Sequence, residues 1–171
     1  FCDRGWRDLG ANRHTNGSTF GTSNGTHMAT NGTDLYLLEG SNGTAFDKFN
    51  PTTFRYEPKA GIPEGVWDGG DLQFGHGVYF AGVGVAFNTG TGTGKANTLY
   101  YYTPGTDTWT TAATCTIGGK GYAHEGLAYD PVGDRLYATI VNYQTGGDSN
   151  STRKLAIYNP NTNAWTGFTA A

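Results

Sequence analysis

The chain has 171 residues, of which 15% are charged and 14% aromatic, with 28 glycines, one methionine and a formal net charge of −3 at pH 7. No basic stripe is available to neutralise phosphates, the isolated pair Arg153-Lys154 being the longest basic run, and nucleic acid is not an expected partner. No apolar run approaches the ~20 residues of a bilayer-spanning helix, and the load of Gly, Asn and Thr beside aromatic residues predicts an all-β fold of short strands and turns.

Residues 1–26 are the least regular stretch, and they are expected to form an N-terminal arm or to donate a strand to a neighbouring sheet. The chain opens on Phe1, as expected of a processed chain or of a piece of a longer one. Cys2 and Cys115 permit one disulfide, whose long loop would restrict the unfolded chain; two buried thiols are the alternative. Sequons stand at Asn16, Asn24, Asn31, Asn42 and Asn150. Together with the sparse cysteines they point to a glycosylated, extracellular or cell-surface protein, although Asn-Gly is also good turn chemistry.

From His27 the pattern becomes periodic. HMATNGTDLYLLEG predicts two strands joined at Asn31-Gly32, and a polar loop then leads into Phe46–Tyr56, FDKFNPTTFRY. That segment recurs as Leu99–Trp109, LYYYTPGTDTW, and as Leu155–Trp165, LAIYNPNTNAW. Each copy has an apolar residue first, an aromatic fourth, Pro sixth, Thr eighth and Tyr or Trp last, which reads as strand, Pro turn and strand. The second unit begins near Trp67 and the third near His124, so the motif prolines Pro51, Pro104 and Pro160 recur at roughly fifty residues. Three four-stranded antiparallel units are expected, at about 27–60, 61–113 and 114–171.

These units resemble kelch-type β-propeller blades, the kind also found in the central domain of copper-radical oxidases such as galactose oxidase. The aromatic-X-Pro-X-Thr-X-X-Trp tail resembles the family's turn before its outermost strand, while the usual double Gly after the second strand is reduced to Glu39-Gly40, Ala81-Gly82 and Thr139-Ile140. The resemblance implies a propeller-like array of about three blades. Closed propellers have about four to eight blades, so the array is expected to self-associate as a ring or filament, or to continue into other blades of a longer chain.

Candidate ligand-binding residues follow from residue type. His76 and His124 lie near the inner strands of their blades, and Glu125 in His124-Glu125-Gly126 resembles the inner-strand glutamate with which propeller hydrolases and phytase-like enzymes bind calcium. Calcium needs several oxygen ligands and this stretch offers one, so no cofactor is expected, calcium being the alternative. Trp67 with Asp68 could stack on and hydrogen-bond a sugar. No nucleophile elbow or phosphate loop is present, and Gly90–Gly94 reads as a linker. The expected function is non-catalytic, in binding or self-assembly. A carbohydrate-binding module is one alternative, and a fragment of a metal-dependent propeller hydrolase or oxidase another.

Overall fold

A computed structural model describes residues 26–67, 70–84, 97–117, 120–142 and 154–168. The chain is all-β. Blade 1 comprises β1 (His27–Thr30), β2 (Leu35–Leu38), β3 (Phe46–Asn50) and β4 (Arg55–Pro58). Blade 2 comprises β5 (Asp71–Gly75), β6 (Val78–Gly82), β7 (Thr98–Thr103) and β8 (Thr108–Thr114). Blade 3 is built from β10 (Lys120–Asp130), β11 (Arg135–Asn142), β12 (Lys154–Asn159) and β13 (Ala164–Phe168), with the short β9 (Thr116–Ile117) paired to the start of β10. Every blade is an antiparallel meander in chain order, and the inner strands β1, β5 and β10 lie side by side.

Residues paired across an antiparallel ladder share a face, so the registers assign each blade two faces. Tyr36 and Leu38, with Phe46 beside Leu38, turn toward blade 2 and meet Leu72, Tyr79, Ala81, Tyr100 and Tyr102 there. The opposite face of blade 2 carries Phe80 and Leu99, which pack on Leu136, Ala138, Ile140, Ala156 and Tyr158 of blade 3. Both cores lie between blades, because a sheet that is apolar on both faces must be covered on both.

The four proline hairpin turns obey one rule. Pro51, Pro104, Pro131 and Pro160 each open a four-residue turn whose last residue, three positions on, is left-handed: Phe54, Asp107, Asp134 and Asn163, with φ between 50 and 53°. Asp and Asn tolerate that conformation, whereas a phenylalanine there is strained. Two residues before the same prolines stand Phe49, Tyr102, Tyr129 and Tyr158.

The disulfide is a correction: Cys115 is a free thiol buried in the core between blades 2 and 3, surrounded by apolar side chains. Burial pushes this thiol up to about 12, so it stays protonated, the buried-thiol alternative. Its expected partner Cys2 lies outside the described residues.

Candidate functional site

Polar side chains gather in two kinds of place, the turns that lock blade to blade and the inner strands. At the turns, three of the four left-handed residues act as acceptors. Asp107 Oδ1 accepts the Tyr102 hydroxyl at 2.8 Å and the Ala60 N–H, from the segment leaving blade 1, at 2.9 Å. Trp109 closes the clamp by donating its indole N–H to the Ala60 carbonyl at 2.7 Å. Blade 3 repeats the arrangement on blade 2. Asn163 Oδ1 accepts the Tyr158 hydroxyl at 2.9 Å and the Ala113 N–H at 2.7 Å, and the Trp165 indole donates to the Ala113 carbonyl at 2.8 Å. One backbone residue of each preceding blade is thus held through both its N–H and its C=O.

Asp134 uses the same chemistry in the inner hairpin of blade 3. Its carboxylate accepts the Tyr129 hydroxyl, the Asn161 side-chain amide at 2.6 Å and His76 Nδ1 at 2.9 Å. The Tyr129 hydroxyl and the Asn161 amide, helped by His76, hold the Asp134 carboxyl down at about 2. Asp107 is likewise lowered, by the Ala60 N–H and then the Tyr102 hydroxyl. Burial pushes the Tyr102 phenol up strongly and Tyr158 up to about 12, which keeps both hydroxyls as donors.

Among the inner strands Asp71 is the meeting point. It lies within 3.2 Å of His27 Nδ1 in blade 1, accepts the N–H of Leu72 in its own strand at 2.7 Å, and accepts the N–H of Leu127 in blade 3 at 2.6 Å. One carboxylate therefore ties three blades. Its partners lie 44 residues before it and 56 after, so no local pattern announces the role.

Among the described residues, the two candidate histidines lie toward opposite ends of β6. His76 occupies the exposed β5–β6 turn and is engaged by Asp134. His124 lies near the other end of β6, packed under Gly82, where an added Cβ would stand 2.6 Å from that of His124. The His124 ring is fully buried and tilted against Trp165 at 5.0 Å between centroids, and neither ring nitrogen has a hydrogen-bond partner among the described residues. Burial lowers its pKa to about 4, so the ring is neutral at physiological pH. Glu125 is the extra residue of a β-bulge: the β10–β11 register slips between His124 and Gly126. HEG is therefore a bulge signature here, with its histidine turned into the core.

Trp67 is half-buried, its backbone N–H bonded to the Val83 carbonyl at 2.8 Å, while Asp68 lies outside the described residues. Asn31 and Asn42 are exposed in turns, Asn42 at a φ of 66°, and the Asn31 side chain accepts the N–H groups of Thr33 and Asp34. Asn16, Asn24 and Asn150 lie outside the described residues. Among the described residues no three His, Cys, Asp or Glu side chains come together as a metal site, and no helix is long and apolar enough to cross a membrane.

Comparison with known proteins agrees with this architecture. The fold matches the solved structure titled "Structure of YjhT" with a TM-score of 0.64 at 18% identity, over 88% of this chain and 52% of that one. The fold is thus that of part of a kelch-type β-propeller, and the chain spans about half the length of the protein it matches. No protein-family profile and no curated protein matches it.

Proposed function

We propose that this chain is a non-catalytic, extracellular blade array whose work is binding or self-assembly. One observation carries the reading: among the described residues, the polar side chains that converge are spent on holding blades together. Asp71, Asp107, Asp134 and Asn163 each join one blade to another. Met28 in blade 1 and Leu155 in blade 3 are instead exposed, at 64% and 42%. The test is the native mass by light scattering, with and without enzymatic deglycosylation. A mass above that of one chain, reduced in its sugar part by the treatment, is the expected result; a monodisperse, unglycosylated monomer overturns the reading.

The half-buried Trp67 supports carbohydrate binding as a second reading. It predicts glycan-array binding that Trp67→Ala abolishes, and retention of binding in that variant removes it.

A further inference from the structure

The interface between blades 2 and 3 has an imidazole built into it. Across the ladder His124 stands opposite Ile140, and Ile140 opposite Lys154, so the three share the face of blade 3 that is turned toward blade 2. Blade 2 lies over the ring at Gly82, where the missing side chain leaves the room: a Cβ there would stand 2.6 Å from that of His124. Trp165 covers a second side, and neither ring nitrogen has a hydrogen-bond partner among the described residues. A buried polar group in that position is held at a cost that is relieved when it reaches water.

The charged groups around it are committed elsewhere. Asp71 of β5 pairs with Gly82 across the ladder, but its oxygens receive the N–H groups of Leu72 and Leu127 and meet His27. Lys154 of β12 donates to the Tyr122 hydroxyl of β10 at 2.9 Å. Glu125, next in the chain, is the bulge residue. The core alongside adds the Cys115 thiol and the phenols of Tyr122 and Tyr158. Burial is the sole cause that lowers the imidazole to about 4, so a proton on the ring is penalised by desolvation and rewarded by no carboxylate.

Two ties across this interface withstand mild acid. The outer clamp of Asn163 and Trp165 on Ala113 consists of neutral hydrogen bonds, and in the inner hairpins the Asp134 carboxyl that holds His76 stays ionised, being held down at about 2. His124 and Gly82 lie at the strand ends opposite those inner hairpins. We infer that the interface is an acid-opened hinge: once His124 carries a proton it leaves its place beneath Gly82, and these strand ends part about the two ties that remain. The opening breaks the Asp71–Leu127 bond and uncovers Cys115, which is 0% exposed when the hinge is closed and whose carbonyl accepts the Tyr122 N–H two residues before His124. The aromatic core between blades 1 and 2 stays shut.

Cys115 is the reporter. In the full chain carrying Cys2→Ser it is the sole thiol, and dithiodipyridine reads it at acid pH by forming a mixed disulfide and releasing thiopyridone. The rate in the folded chain is divided by the rate in the urea-unfolded chain at the same pH, so that the thiol's own ionisation cancels and the quotient measures opening. The quotient is expected to be flat above pH 6.5 and to rise roughly 100-fold by pH 4, following the spread between the ordinary 6.5 of the ring and its value in the fold. Its dependence on low urea should be well below that of global unfolding, because one interface exposes less surface than the whole chain. His124→Leu should flatten the profile. Should that variant fail to fold, the acid profile and urea slope of the chain that keeps His124 decide alone. A profile without a rise, a rise that His124→Leu retains, or a rise with the urea slope of global unfolding each overturns the hinge.

Discussion

The two filled interfaces carry the same clamp and different cores. Between blades 1 and 2 the filling is aromatic: Tyr36 lies 4.5 Å from Tyr79 and 5.3 Å from Phe46, and Tyr102 and Trp109 are 5.4 Å apart. Between blades 2 and 3 it is mainly aliphatic, with Leu99, Leu136 and Ile140, and it encloses the Cys115 thiol and the neutral His124. Because Asp107 and Asn163 hold the preceding blade at the same backbone site, spacing is set by the clamp and the filling is free to vary. The second interface therefore bears a buried imidazole that its counterpart does not share.

The largest effect should come from emptying the aromatic interface. Tyr102→Ala is expected to cost roughly 3–5 kcal/mol in denaturant unfolding, through lost packing and a cavity. Tyr158→Ala at the equivalent site should cost less, since its surroundings are poorer in rings and collapse more readily; equal costs would break the contrast.

Acid should separate the interfaces next. His124 is neutral in the fold down to about pH 4, while in the unfolded chain it takes a proton near its ordinary 6.5. Its contribution is thus complete above pH 6.5 and is lost as pH falls toward 4, by an amount on the order of 3 kcal/mol. Unfolding titrations should show that slope, and His124→Leu should remove it without loss of stability at neutral pH, because among the described residues the ring has no hydrogen bond to give up.

The clamps come third. Asp107→Ala is expected to cost about 1–2 kcal/mol, from two lost hydrogen bonds and a left-handed residue without a side-chain partner. Asp107→Asn, which copies Asn163, should stay within about 0.5 kcal/mol at neutral pH. The Asp107 carboxyl is lowered by its donors, so its share is present above its unfolded value and lost as pH falls below about 4. The asparagine variant should lose that acid dependence.

The smallest expected change is a gain. Phe54→Asn relieves the strained backbone and should stabilise the isolated chain by about 0.5–1 kcal/mol in thermal unfolding. If it destabilises instead, the aromatic cluster holds blade 1 together by itself.

Much of the architecture was legible because the outer hairpin is a local object. Pro fixes the turn, aromatic residues alternate about it, and three copies declare a repeat before any contact is known. The clamp was half legible. Its tyrosine and tryptophan were fixed motif positions, but its acceptor fell among the variable ones, since Asp107, Asn163 and Phe54 share only a backbone conformation. The groups they receive lie 47 and 50 residues away, beyond any periodicity. His124 stands on an inner strand, as its sequence suggested; an inner-strand histidine beside a glutamate looks like a channel group, and the bulge at Glu125 is what distinguishes the two neighbours.

Asp71 has a consequence for how the chain comes apart. Stacked repeats couple only to their neighbours, so an end repeat ordinarily frays alone. Here a single carboxylate reaches the first, second and third sheets together. A molecule stretched from its two ends in an optical trap should therefore yield in one rupture rather than blade by blade, and Asp71→Ala should split that event into steps.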